Sequence, residues 1–233
     1  MNFDLAQIWE HMGILGKVVA LFLVTMAVSC IGVVVERMIG FAKAAKESRE
    51  FAKQILPKFD DWDVQGIGKA SEQYKNSPLA KVFGFVVDRY LKSAEEPEGG
   101  LTPVEMARNE AERRKEQVGS ELRRGMSVLA SVGSTAPFVG LLGTVLGIIA
   151  SFAAIGAEGS GGINTVMTGI SEALAETALG LLVAIPAVLL FNYLSVRVTA
   201  IELALARSTG ELLDEMENRH GQESNASAES QVA

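Results

Sequence analysis

The chain has 233 residues, 28 of them acidic and 21 basic, for a net charge of −7, with two histidines and one cysteine. An acidic balance leaves no electrostatic footprint for nucleic acid. A single cysteine cannot build an internal disulfide framework, and no Cys/His cluster has metal-ligand spacing. The apolar residues, 48% of the chain, are gathered into runs: charge is absent from Val18 to Val35 and from Gly125 to Ala157, and Ile163–Val196 carries only Glu172 and Glu176. Runs of 18 or more nearly uncharged residues read as membrane helices, because ~20 residues at ~1.5 Å each cross a ~30 Å hydrocarbon core. Such runs argue against a soluble globular enzyme and exclude disorder for most of the chain.

In chain order, residues 1–17 form a leader in which Leu5, Ile8, Met12 and Leu15 share a helical face with Trp9 nearby, the pattern of a short interfacial helix. Residues 18–35 form the first span. It ends at Glu36-Arg37 without a small-residue cleavage site, so it is not a removable signal, and Cys30 within it reads as a small packing residue. Of the 21 lysines and arginines, 17 fall between Arg37 and Arg124, one precedes the first span and three follow Val196. By the positive-inside tendency, residues 36–125 and the C-terminal segment are cytoplasmic, with the N-terminus periplasmic.

The cytoplasmic domain, 36–125, reads as helical. Leu79, Val82, Phe83, Val86, Val87, Tyr90 and Leu91 recur at steps of three and four, an amphipathic stripe. Pro97, Gly99 and Gly100 break the chain, and Thr102-Pro103-Val104-Glu105 starts a new helix with a capping box and proline at its first position. No breaker precedes Gly119, so this helix is expected to run on into the second span as one rod. Its charged stretch Glu110–Glu121 is most simply a solvated face. The second span covers 126–157, a periplasmic turn 158–162, and the third span 163–196. A cytoplasmic C-terminal helix over 197–220 and a small, polar tail over 221–233, expected to be disordered, complete the chain. The apolar runs that supply spans two and three, Gly125–Ala157 and Ile163–Val196, are 33 and 34 residues long. At ~1.5 Å per residue each makes ~50 Å of helix, more than a bilayer holds. The predicted fold is therefore all-α: a polytopic membrane protein with three transmembrane helices, of which spans two and three extend as long helices into a cytoplasmic helical domain.

No catalytic motif is present. Gly66-Ile67-Gly68-Lys69 is not a phosphate-binding loop, because that loop needs a glycine where Asp63 stands. What remains are carboxylates and hydroxyls inside apolar helices. A charge at the bilayer centre costs ~2.5–3.5 kcal/mol even on a lenient scale, so it faces a cavity or a partner and is the usual material of proton relays. Thr165, Thr168, Glu172 and Glu176 continue as one polar stripe on the third span, and Thr144 and Ser151 lie seven apart on the second. Thr144 and Glu172 are each 14 residues from Glu158, so in an antiparallel hairpin they sit at similar depth, while Thr177, ~140° around the helix from Glu172, should face a different neighbour. The competing reading is packing: Gly143-xxx-Gly147 and Gly169-xxx-Ala173-xxx-Thr177 are small-xxx-small patterns that let membrane helices approach. Pro137 and Pro186 each free a carbonyl within their helix, as a kink that serves motion or one merely tolerated in a membrane.

The run Ser134-Thr135-Ala136-Pro137-Phe138-Val139-Gly140-Leu141-Leu142-Gly143-Thr144-Val145-Leu146-Gly147-Ile148 resembles the second-span signature of the MotA/TolQ/ExbB proton-channel family. Gly169-Ile170-Ser171-Glu172-Ala173-Leu174, Thr177-Ala178-Leu179-Gly180-Leu181 and Ala184-Ile185-Pro186-Ala187 resemble its third-span signature. Three spans with a cytoplasmic domain after the first match the TolQ/ExbB branch in layout. The resemblance implies an inner-membrane motor subunit: a homo-oligomer, a pentamer in that family, around a dimer of a TolR/ExbD-like single-span protein bearing a membrane aspartate. It implies protons as the coupling ion, no other cofactor, and Thr144, Glu172 and Thr177 as pathway residues. Tol-Pal function, TonB-type transport and gliding motility are all driven by such motors. Glu176 departs from the family pattern, which has a small or apolar residue there; it is expected to serve as a second proton site or as a partner contact, with Ser151 and Thr168 as further accessory groups. The alternative from a different class is a non-conducting membrane scaffold that assembles partner proteins.

Overall fold

The computed structural model describes residues 13–95, 100–158 and 163–232, and of 154–155, 157–158, 163–165 and 223–232 only the backbone. The leader helix expected before Gly13, the Pro97–Gly99 breaker and turn residues 159–162 lie outside the described residues, as does the side chain of Thr165. The described residues form six helices and no strand: α1 (Ile14–Asp60), α2 (Val64–Ser71), α3 (Pro78–Glu95), α4 (Pro103–Arg123), α5 (Met126–Glu158) and α6 (Ile163–Val232). Three of them contain segments long and apolar enough to cross a membrane, within Ile14–Asp60, Met126–Ala153 and Val166–Gln222. Helix is the form these runs must take, because lipid offers no partner to backbone N–H and C=O groups. The chain divides into two compact units, Met1–Glu36 with Gly125–Ser195, and Arg37–Arg124 with Val196–Ala233.

The first unit holds the apolar parts of α1, α5 and α6. Along α1 one face is buried, through Val19, Ala20, Leu23, Cys30 and Val34, while Leu21, Phe22, Val28 and Ile31 are exposed. Helices α5 and α6 form an antiparallel hairpin whose contact line is made of small residues. A Cβ placed on Gly140 would lie 2.9 Å from the Glu176 carbonyl oxygen and 3.2 Å from Gly180 Cα, and one on Gly147 would lie 2.9 Å from Ala173 Cβ. Ala136, Ala173, Ala184 and Ala187 complete the seam and are buried. Without a hydrophobic drive between helices in lipid, this closeness is what makes packing favourable. The outward side chains Phe138, Leu142, Ile149, Leu182, Ile185 and Leu189 are large, apolar and exposed, as lipid or a neighbouring subunit requires.

The second unit holds the rest of α1 and α6 with α2, α3 and α4. Its core gathers Phe51, Ile67, Val82, Phe83, Val86 and Val87 with Ala107, Ala111, Leu212 and Met216, all essentially inaccessible. Phe51 meets the edges of Tyr74 and Phe83, with ring centroids 5.9 and 5.8 Å away, a geometry that adds to simple burial. The stripe expected on α3 is therefore its buried face. The Asn76 side-chain and backbone N–H groups donate to Glu47 at 2.6 and 2.7 Å. Lys81 pairs with Glu121 at 2.9 Å, and Arg123 grips Glu202 through two bonds of 2.6 and 3.1 Å. At the start of α4, Thr102 accepts from the Glu105 N–H while the Glu105 carboxylate accepts from the Thr102 N–H, the reciprocal box read from sequence.

Two local features differ from expectation. Helix α4 does not run on as a rod: it stops at Arg123, and Gly125 takes φ +77° before α5 begins at Met126. Only glycine adopts that conformation without penalty, and Val33 packs 3.4 Å from where its Cβ would be. The backbone of α6 continues as helix to Val232, through the stretch expected to be a disordered tail. Pro137 and Pro186 both sit inside unbroken helices.

Candidate functional site

The polar groups of the first unit lie along the α5–α6 seam and in a groove beside it. The register of the hairpin is set by Gly133 against Val188, Gly140 against Gly180, Gly147 against Ala173 and Ser151 against Gly169. These pairs centre the hairpin two residues later than equal spacing about Glu158 would, and Thr144 consequently comes opposite Glu176–Thr177 rather than Glu172. The structure thus pairs Thr144 with Thr177, whose hydroxyls share a hydrogen bond, while Glu172, ~140° around the helix from Thr177, faces the groove instead. Thr144 is 9% exposed, and its hydroxyl also reaches the carbonyls of Ala173 at 3.1 Å and Gly140 at 3.2 Å. Thr177 reaches the Gly140 carbonyl at 3.1 Å. Each hydroxyl has one proton to donate. The pair can therefore be linked in either direction: Thr177 donates to Thr144, which donates to the Ala173 or Gly140 carbonyl, or Thr144 donates to Thr177, which donates to Gly140. The absence of a side chain at Gly140 is what lets the two helices come close enough for either.

The groove, of about 410 Å³, is lined by Gly13 just before α1, by Leu15 and Gly16 of α1, by Leu146, Gly147, Ala150 and Ser151 of α5, and by Thr168, Gly169, Glu172, Ala173 and Glu176 of α6. Glu172 is half-buried and Thr168 exposed. Ser151 donates to the Gly147 carbonyl at 2.8 Å and faces Gly169, where any side chain would overlap its hydroxyl. Glu176 is the more buried carboxylate, 4% exposed, and its Oε2 has no hydrogen-bond partner among the described residues. That carboxylate occupies the space left by Gly143. Glu172, Glu176, Ser151 and Thr168 therefore share one groove, whereas Thr144 and Thr177 form a separate pair on the seam. Pro137 and Pro186 line neither. No three His, Cys, Asp or Glu side chains converge as a metal site among the described residues.

Sequence reasoning missed the contribution of α1. Gly13 and Gly16 open the wall of the groove, and Val19 packs toward Gly143. Their only sequence signal is small size in an apolar run, which many positions share.

All-helical over its described residues, with three segments long and apolar enough to cross a membrane and carboxylates facing a groove beside them, the chain has the layout of a multi-pass membrane protein. Residues 85–207 match the profile of the MotA/TolQ/ExbB proton channel family. The Tol-Pal system protein TolQ of Haemophilus influenzae is 31% identical over 208 residues, covering 85% of this chain and 86% of that one. The biopolymer transport protein ExbB of Xanthomonas campestris is 57% identical over 76 residues, 33% of this chain and 30% of its own. That of Aquifex aeolicus is 49% identical over 80 residues, 34% of this chain and 54% of its own. The matches to these two ExbB proteins thus span about a third and about half of their length. The chain belongs to the MotA/TolQ/ExbB proton channel family.

Proposed function

We propose that the chain is the stator-type subunit of an inner-membrane motor that couples the proton motive force to rotation or force transmission across the cell envelope. It assembles as a pentamer around a TolR/ExbD-like dimer whose membrane aspartate exchanges protons with Glu172 and the Thr144–Thr177 pair. The basic residues flanking the spans support an orientation with residues 36–125 and the C-terminal helix in the cytoplasm and the N-terminus in the periplasm. The driven process is one of those served by TolQ- and ExbB-like motors: Tol-Pal function, TonB-type transport or gliding.

The observation that carries this reading is a carboxylate, Glu172, and a linked hydroxyl pair within a hairpin whose outward side chains are large and apolar. Ionisable groups at membrane depth are costly and mark ion pathways. The test is Glu172→Gln in the complex purified from its native membrane, with native mass and proton flux in vesicles measured together. Loss of flux at unchanged mass is expected. No flux in parent or variant, with native mass unchanged, would leave the non-conducting scaffold reading, and flux unchanged from a conducting parent would remove Glu172 from the pathway.

A further inference from the structure

The pathway above uses Glu172, one carboxylate of the two in the groove, and leaves the more deeply buried one unexplained. Glu176 is 4% exposed and its Oε2 has no hydrogen-bond partner among the described residues. A buried carboxylate oxygen without a donor is expensive, and in an apolar span more so. It requires a proton, a metal cation or a donor from another chain. The walls around it discriminate among these. Opposite Oε2 is Gly143, which offers no side chain, and Val19 Cγ1 stands 3.0 Å from the position of a Gly143 Cβ. This side of the carboxylate is therefore bounded by carbon, whereas a metal cation demands a shell of several oxygens. The charged groups on the packed elements are few. Glu172 lies one turn back on α6, residues 126–157 of α5 carry none, and Lys17 on α1 neighbours the Gly16 wall but has contacts of its own. A bare proton is the cation that fits the space.

We propose that Glu176 is a second proton-binding carboxyl of this chain, in series with Glu172, so that a proton passes from the groove through Glu172 to Glu176 beside the hydroxyl pair. In the transfer, the O–H bond on the Glu172 carboxyl breaks as one forms on Glu176, and the negative charge moves the other way. The two positions are four residues apart, ~6 Å along the helix axis, a step that side-chain rotation or one water bridges. This rests on the proton-channel reading and assigns a second group to it.

Dicyclohexylcarbodiimide labelling, of the parent and of the Glu172→Gln and Glu176→Gln variants, provides the test. A protonated carboxyl gives its proton to the carbodiimide nitrogen, the carboxylate oxygen adds to the central carbon, and rearrangement leaves a stable N-acylurea. The full complex in native-lipid vesicles is labelled at several pH values, with and without sodium, and adducts are mapped by mass spectrometry. Adducts are expected on both glutamates, the Glu176 adduct persisting in Glu172→Gln and indifferent to sodium. Glu176→Gln is expected to lower proton flux at least about tenfold at unchanged native mass. Absence of a Glu176 adduct where Glu172 is labelled, as when a partner's donor covers it, overturns the proposal. So does protection of Glu176 by sodium at fixed pH, or unchanged flux in Glu176→Gln. Unchanged flux in Glu172→Gln with Glu176 still labelled would instead refute the proton-channel role of Glu172.

Discussion

The substitution Gly180→Ala tests whether close approach of α5 and α6 holds the membrane unit together. A Cβ at residue 180 would lie 2.6 Å from the Ala136 carbonyl oxygen, 3.1 Å from Gly140 Cα and 3.3 Å from Gly140 N. All three are backbone atoms, so no rotamer change relieves the overlap. Ordinary contact begins near 3.4 Å, and the helices must part by about 0.8 Å at that level, the shortfall from ordinary contact. The Thr177–Gly140 and Thr144–Ala173 bonds, both 3.1 Å, would stretch towards about 3.9 Å, beyond hydrogen-bond range. Overpacking of this kind costs about 1–3 kcal/mol, and each lost hydrogen bond about 0.5–1.5 kcal/mol. A total near 3 kcal/mol corresponds to a fall in Tm of about 6–12 °C at this chain length. Thermal unfolding of the detergent-solubilised complex, followed by tryptophan fluorescence, measures it. A Tm within about 1 °C of the parent would refute the claim that the seam is close-packed at Gly180.

Gly210→Ala is the matched control, because nothing lies within 4 Å of a Cβ there; stabilisation by about 0.5–1 kcal/mol is expected, and a loss of Tm would contradict the open surface at that point. Thr177→Val removes one hydroxyl of the pair; stability should fall by about 1 kcal/mol while proton flux falls far more steeply, and equal flux would separate the pair from the pathway. Thr102→Ala removes the α4 cap, at a cost of about 1 kcal/mol, with faster amide exchange confined to the first turn of α4 as its signature. Lys81, donating to Glu121 at 2.9 Å, holds that carboxyl below its ordinary value of 4.5, and burial opposes it only partly. The unfolded chain therefore takes up a proton first as pH falls, so the pair's contribution is complete above 4.5 and fades as pH drops through the lower folded value. The stability difference between the parent and Lys81→Met, under about 1 kcal/mol for so exposed a pair, should be present at neutral pH and vanish in acid; a difference that grew in acid would refute the assignment.

The three membrane segments, the stripe from Val82 to Tyr90 and the α4 capping box were legible in the sequence. Each depends on spacing along one helix, and lipid or a neighbouring core enforces it locally. The break at Gly125 was not legible, because a glycine in a helical pattern is ordinarily tolerated and only the φ of +77° distinguishes it. The site divides in the same way. That Glu172, Glu176, Thr144, Thr177 and Ser151 are candidate site residues was legible from polar groups standing in apolar helices, where they cost free energy. Their grouping was not. Thr144 meets Thr177 because Gly140 and Gly180 let two backbones touch in a register whose centre lies two residues beyond Glu158, and Glu176 is buried because Gly143 leaves it room beside Val19. Residue chemistry and period are properties of a single chain segment. Register and the space one helix leaves for another come from contacts among helices distant in sequence, and for this protein only the tertiary structure decided them.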